Sequence, residues 1–150
     1  MQVAGQEIDA VAGEESKPVT DARMEEAILK AMSDEASRLI LKSATVESRS
    51  IEEIVQELGV PASTAYRRVH ELVESGLLLI ERVMITGEGR RYLLYRSAFR
   101  EMSMTLESGE LSVRVSLNED VADRFHRTWQ SIRLRQAGYR PTTASADHGV

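Results

Sequence analysis

Two amphipathic segments joined by the short sequence Leu-Gly-Val-Pro constrain the fold more than any other feature of the chain. Apolar residues recur at helical spacing along one side of each segment: Ile51, Ile54, Val55 and Leu58 in the first, and Ala65, Val69, Leu72 and Val73 in the second. Gly59 suits the left-handed residue that ends a helix, and Pro61 suits the start of the next one. The sequence therefore predicts two short helices connected by a tight turn, the second over residues 62–75.

The apolar pattern changes its period after Gly76. Residues 77–85 are rich in branched apolar side chains, Thr86-Gly87-Glu88-Gly89 is a turn signal, and residues 91–95 return as Arg-Tyr-Leu-Leu-Tyr. This arrangement predicts a β-hairpin directly after the helix pair. In a helix-turn-helix protein such a hairpin is a wing, which we place over residues 77–96.

A second hairpin is predicted by strict alternation of apolar and polar residues. Met102, Met104 and Leu106 alternate with polar residues, Ser108-Gly109 forms a turn, and the alternation resumes from Leu111 to Leu117. Alternation of this kind indicates a sheet with one covered face. We interpret Met102 and Met104 as sheet core in preference to an effector pocket beneath the hairpin.

The last periodic segment follows Asn118, which we expect to cap a helix. Its apolar residues are Val121, Phe125, Trp129 and Ile132. This stripe either folds back on the chain's own sheet or pairs with a second subunit. We favour the second alternative, a dimer interface, because a tryptophan within an apolar stripe suits such a surface.

These elements predict an α+β fold, a winged helix-turn-helix domain with an additional C-terminal β-hairpin and a terminal helix. The domain occupies residues 21–97, the hairpin extension residues 98–117 and the C-terminal dimerisation helix residues 118–137. Residues 1–20 lack periodicity and predict a disordered N-terminal arm, and residues 138–150 predict a flexible tail.

Composition narrows the class of protein and its partners. The chain has 150 residues and a net charge of -5. Because it contains no cysteine, disulfides and thiolate metal sites are excluded. We expect a cytoplasmic protein without a membrane-spanning segment. Charge is uneven, because residues 62–100 hold seven arginines and four glutamates, a local balance of +3. A local basic zone on an acidic protein can still bind a polyanion such as double-stranded DNA.

The basic second helix is typical of helix-turn-helix proteins that place this helix in the major groove of DNA. Arg67 can offer a bidentate fork to guanine, Ser63 and Thr64 can bond bases or phosphates, and Tyr66 can contact a thymine methyl group or a phosphate. The remaining candidate DNA-binding residues suit the sugar-phosphate backbone, and they are Arg68, His70, and Arg90 and Arg91 at the wing tip.

Residues 32–78, from Met-Ser-Asp-Glu-Ala-Ser-Arg-Leu-Ile-Leu to the exit Gly76-Leu77, resemble the ArsR-like winged-helix transcriptional regulators of bacteria and archaea. The resemblance implies a sequence-specific DNA-binding dimer that represses or activates a promoter, with recognition helices in successive major grooves of a near-palindrome. The metal-sensing members carry two cysteines at positions that fall near Ser50 and Glu52 here, so their metal site does not carry over. The minimal pattern of this family also lacks the second hairpin, and in this respect the chain resembles archaeal relatives with extended sheets.

Two other functions remain open from the sequence. One is a winged-helix module that binds a protein of the transcription machinery without sequence-specific recognition of DNA, and the other is a regulator with a small-molecule pocket under the second hairpin. We expect no enzyme, cofactor or metal site, because the sequence holds no nucleophile–base pair, no phosphate-cradling loop and no metal-ligand spacing among its three histidines.

Overall fold

The computed structural model of the chain describes residues 16–136. Five helices and five strands lie in this range. The helices are α1 (Ala22–Met32), α2 (Glu35–Ser43), α3 (Ile51–Leu58), α4 (Ala62–Glu74) and α5 (Ala122–Gln136), and the strands are β1 (Lys17–Pro18), β2 (Leu78–Ile85), β3 (Arg91–Ser97), β4 (Phe99–Glu107) and β5 (Glu110–Leu117). This is the α+β winged helix-turn-helix fold with a second hairpin and a terminal helix, as the sequence predicts.

Local capping determines where the first helices begin and end. The side chains of Asp21, Asp34 and Ser50 accept backbone N–H hydrogen bonds at the N-termini of α1, α2 and α3, which satisfies donors that have no partner within the helix. Gly59 ends α3 with a φ of 65°, the left-handed conformation expected of it. These caps bring α3 and α4 together at the predicted turn.

The wing is the antiparallel pair β2–β3, anchored to the helices at its base. A β-bulge at Glu81 shifts the register between Ile80 and Arg82, and Tyr95 of β3 forms an isolated bridge with Arg49, just before α3. Tyr95 and Arg49 exchange two backbone hydrogen bonds of 2.8 Å. The wing base is therefore fixed to the helix-turn-helix, and its tip extends away from it.

The second hairpin, β4–β5, forms a separate sheet with β1, in the order β1-β5-β4. Lys17 and Pro18 pair with Val115 and Arg114, so the predicted disordered arm is wrong for these residues, because the free edge of β5 binds their backbone. Residues 1–15 of that arm, and the predicted tail at 138–150, lie outside the described residues.

The far half of the second hairpin encloses no pocket. Every residue from 103 to 112 is exposed, so the described residues of one chain enclose no pocket here, and the ligand pocket under this hairpin stays a prediction. Within the described range of the chain, no helix combines the length and apolar content that a bilayer crossing requires.

The terminal helix packs on the domain itself, which corrects the predicted dimer interface. Val121, Phe125 and Ile132 are buried within one chain, and half-buried Trp129 packs against the same core. The rings of Phe125 and Phe99 meet edge to face with centroids 5.1 Å apart. The buried part of this stripe is thus covered by the chain's own β4 and core, which places it inside one chain and not at the predicted surface between subunits.

Asn118 does not cap the terminal helix through its side chain, contrary to the sequence expectation. Its amide instead donates to the Thr45 carbonyl at 2.8 Å and contacts the Ser97 carbonyl at 3.4 Å. A short 3₁₀ turn, Glu119–Val121, leads into α5. The buried amide thus ties the end of β5 to the loop after α2.

Candidate nucleic-acid interface

One face of α4 is turned to solvent and carries most of the predicted DNA contacts. Ala65, Val69 and Leu72 are buried in the core, whereas Ser63, Tyr66, Arg67 and His70 are exposed on the other side at spacings of three and four residues. No residue within the described range 16–136 forms an ion pair or a hydrogen bond with the Arg67 guanidinium. The structure therefore leaves this guanidinium available to an external anion or base edge.

The N-terminus of α4 is open to an anion. Pro61 is its N-cap and supplies no side-chain hydrogen bond, and the first turn of α4 holds no acidic residue. The four other helices that the structure describes each carry an acidic residue in the first turn. Unpaired N–H groups and the positive end of the helix dipole favour a phosphate at this position.

Thr64 and Arg68 lie on the flank of α4 that faces the neighbouring helices, which changes the role predicted for Arg68. The Nε of Arg68 lies 3.0 Å from Asp34 Oδ2 in an ion pair without hydrogen-bond geometry. The Nη2 of Arg68 donates to Asp34 Oδ1 at 3.1 Å, and its Nη1 donates to Glu71 at 3.1 Å. Two carboxylates hold this guanidinium in the structure, so the contact of Arg68 with DNA stays a prediction that requires a phosphate to compete with them. Thr64 is half-buried.

The Asp34 carboxylate connects the N-terminus of α2 to α4. The Ser37 hydroxyl donates to it at 2.8 Å and the Ser37 N–H at 2.9 Å. These hydrogen bonds, followed by the charge of Arg68, lower the pKa of Asp34 below its ordinary value of 3.8. This arrangement fixes α4 against α2 and so sets the angle at which α4 faces solvent.

We expect Asp34→Asn to lower the free energy of unfolding by about 1 kcal/mol at pH 7, because asparagine keeps the cap but loses the charge that pairs with Arg68. A lowered folded-state pKa stabilises the fold above the unfolded value of 3.8 and loses that contribution as pH falls through the folded value. Urea unfolding between pH 7 and pH 3 should therefore show the difference between wild type and variant shrinking at the acid end. A difference that is constant with pH would contradict this role for Asp34.

His70 and the wing tip complete the predicted set. His70 Nε2 lies 3.1 Å from Glu74 Oε1 on the exposed face of α4, so a DNA phosphate has to compete with this carboxylate. At the wing, Thr86 N–H donates to the Arg90 carbonyl at 2.8 Å, and Gly89 adopts a φ of 82°. Arg90 and Arg91 are exposed at the end of this turn, which places them at the tip as predicted.

Arg96 is a residue whose role the sequence analysis missed, since it was only counted in the basic zone. It is buried, and its guanidinium donates to the Thr45 carbonyl at 2.9 Å, to Asp120 at 2.9 Å and to Glu81 at 3.3 Å. Arg124 also donates to the carbonyls of Ile80 and Glu81. These contacts join the wing base to the C-terminal extension, so Arg96 positions the wing and adds no free charge to the surface.

Tyr66 also lies close to the wing base. Burial raises the pKa of Tyr95 on β3, and the nearby Tyr66 phenol adds to that increase. Tyr95 is buried and Tyr66 is exposed.

The domain presents an exposed helix with an open N-terminus, which follows a tight turn and precedes a basic hairpin. Together these features define a winged helix-turn-helix domain of the DNA-binding class. Residues 27–79 match the family model described as the IclR helix-turn-helix domain. The match supports a DNA-binding transcription regulator, and it does not support the ArsR-like resemblance specifically. No curated protein matches the chain.

Proposed function

We propose that the protein is a sequence-specific regulator of transcription that binds double-stranded DNA as a homodimer in the cytoplasm. In this proposal α4 enters the major groove and the wing contacts the sugar-phosphate backbone or a minor groove. The observation that carries the proposal is the exposed Arg67 guanidinium, which no described residue binds, on the outer face of a helix with an open N-terminus.

The contacts divide into two kinds. Arg67 supplies a bidentate fork for guanine, with Tyr66 and Ser63 beside it for a neighbouring base or phosphate. The open N-terminus of α4 and the wing arginines supply contacts to the backbone, which position the protein without recognising sequence. Arg68 acts through α4, because its pairing with Asp34 sets the orientation of the helix.

The homodimer follows from the size of the contact surface. A single α4 reaches only a few base pairs, whereas two copies related by a two-fold axis contact half-sites about 34 Å apart, one helical turn of DNA. A near-palindromic site is the expected operator. The alternative, a winged-helix module for a protein of the transcription machinery, predicts no preference among duplexes.

Binding measured at several salt concentrations tests the proposal. The logarithm of the binding constant should fall linearly with the logarithm of salt, by about 0.9 per phosphate contacted. Fluorescence anisotropy with a labelled duplex measures this slope for the full chain. Absence of duplex binding at low salt would contradict the proposal and favour the protein-binding alternative.

Removal of the wing charges should change that slope and little else. We expect Arg90→Ala combined with Arg91→Ala to reduce the slope by about 1.8 per wing, because each arginine neutralises one phosphate. The ratio of affinities for specific and random duplexes should stay close to that of the wild type, since these contacts carry no sequence information. An unchanged slope would show that the wing tip lies away from DNA.

A further inference from the structure

The outer part of the wing has little core to pack against. From Arg82 to Ile85 no side chain of β2 is buried, and on β3 the last buried side chain towards the tip is that of Leu94. A two-stranded ribbon in water is at best marginally stable unless other elements pack on it. The direction of the wing relative to α4 must therefore be set by contacts at its base.

The β-bulge at Glu81 is the point where the wing leaves the core. Leu78 and Leu79, before the bulge, are buried, whereas Ile80 is 37% exposed. In a regular strand the carbonyls of consecutive residues point to opposite edges, and a bulge breaks that alternation. Here the carbonyls of Ile80 and Glu81 both lie within reach of one nitrogen from outside the hairpin.

Arg124 of α5 supplies that nitrogen. Its Nη1 donates to the carbonyls of both Ile80 and Glu81, so one charged donor binds the two carbonyls that the bulge brings together. Hydrogen bonds from a charged donor are about twice as strong as neutral ones. The bulge is therefore bound to α5 through backbone atoms of the wing.

A second link joins the same bulge to the segment before α5. The Glu81 carboxylate accepts from Arg96 at 3.3 Å, and Arg96 also donates at 2.9 Å to Asp120, in the 3₁₀ turn that leads into α5. The Arg96 side chain is only 10% exposed, which reduces solvent screening of both contacts. The backbone and the side chain of Glu81 are thus both held by contacts that lead to residues 120–124.

The start of α5 is itself fixed to the core. Val121 and Phe125 are buried, and the Phe125 ring packs on Phe99 with centroids 5.1 Å apart. Arg124 directly precedes Phe125, so its backbone is held in place while its side chain reaches the wing. The C-terminal extension is therefore able to hold the wing in one direction.

We propose that Arg124 is a positioning residue for DNA binding, which holds the bulge so that Arg90 and Arg91 at the wing tip reach the duplex that α4 contacts. The inference deepens the function proposed above and rests on it. At the rise of a β-strand the tip lies about 17 Å beyond the bulge, so a turn of the wing by about 15° moves the tip by about 4 Å. A shift of this size breaks a hydrogen bond or a close ion pair. Arg124 acts through the wing and needs no DNA contact of its own.

The salt dependence of duplex binding, measured in a double-mutant cycle, tests this role. In the wild-type background Arg124→Ala should reduce the slope of the binding constant against salt, both as logarithms, by at least about 0.9 per wing, which is one phosphate contact. In a protein that already carries Arg90→Ala and Arg91→Ala, it should cause no further reduction, because the wing tip then has no charge to position. Arg127→Ala, at another exposed arginine of α5, should leave the slope unchanged in both backgrounds.

Three results of this cycle would overturn the inference. An equal reduction in both backgrounds would show that Arg124 contacts a phosphate directly. No reduction in the wild-type background would show that the wing is positioned without Arg124, and an equal reduction with Arg127→Ala would show an effect of net charge alone. Each of these results leaves recognition by Arg67 on α4 intact, so the proposed function would stand without the inference.

The direction of the wing can also be measured without DNA. The chain contains no cysteine, so spin labels attach only to introduced thiols, Glu88→Cys at the wing tip and Gln56→Cys on the exposed side of α3. We expect a narrow distribution of label distances when Arg124 is present, a broader or shifted one after Arg124→Ala, and no change after Arg127→Ala. An unchanged distribution after Arg124→Ala would overturn the inference alone. Absence of duplex binding by the wild type at low salt would contradict the proposed function, and with it the role of Arg124 in DNA binding.

Discussion

Phe125→Ala should lower the free energy of unfolding by about 3–5 kcal/mol, the loss expected when a buried phenylalanine is truncated in a packed core. Phe125 is only 5% exposed within one chain, and its ring packs edge to face on Phe99. The size of the effect follows from burial of the helix against β4 and the core.

Chemical denaturation at two protein concentrations, tenfold apart, measures this effect. If α5 belongs to the fold of one chain, the difference between Phe125→Ala and wild type should be the same at both concentrations. Leu134→Ala on the same helix, where the side chain is exposed, should change stability by less than about 0.5 kcal/mol. A difference that grows on dilution, with normal stability at high concentration, would show that Phe125 packs in a dimer interface after all.

Arg67→Ala should reduce affinity for the preferred duplex by about 1–3 kcal/mol, roughly 5- to 150-fold, through loss of a bidentate contact to guanine. Affinity for random duplex should fall much less, because only a charge is lost there. The folded state should be unaffected, since Arg67 is exposed and has no partner among residues 16–136.

Competition between specific and random duplexes for each variant separates recognition from positioning. Arg127→Ala, at an exposed arginine of α5, is the matched control for the loss of one charge and should keep the affinity ratio of the wild type. Arg68→Gln should lower stability, because Asp34 and Glu71 lose their partner. Equal losses on both duplexes after Arg67→Ala would show that Arg67 contacts only the backbone.

The sequence predicted the elements well because their signals are local. Asp34, Ser50 and Gly59 act within a few residues of their own position, so the helix boundaries follow from nearby side chains. Branched apolar residues around a turn signal predict the first hairpin, and alternation predicts the second, for the same reason. The exposed positions of Ser63, Tyr66 and Arg67 followed from helical periodicity alone.

The roles of two arginines could not be predicted, because their partners are distant in sequence. Arg68 pairs with Asp34, 34 positions away, and this pairing exists only once α4 crosses α2. Arg96 binds Thr45, 51 positions before it, and Asp120, 24 positions after it. No alternation marks Arg96 as buried, because Leu94, Tyr95, Arg96 and Ser97 are all buried in succession.

Periodicity also failed to predict what α5 packs against. Val121, Phe125 and Ile132 form a stripe at helical spacing, and such a stripe shows that a helix buries one face without showing against which surface. The structure provides that surface within the same chain, at Phe99 and near Gly76. Uncovered apolar side chains lie on the second hairpin, among them Leu106 at 74% exposure, although alternation had indicated one covered face there.

Selection of duplexes from a random pool by the full-length protein tests the central claim most directly. If the outer face of α4 recognises base edges in a two-fold assembly, the enriched duplexes should share two inverted half-sites with centres about 10 base pairs apart, each containing a guanine. That enrichment should weaken with the Arg67→Ala variant. A bound pool with no shared sequence, or one whose preference is unchanged by Arg67→Ala, would contradict the account.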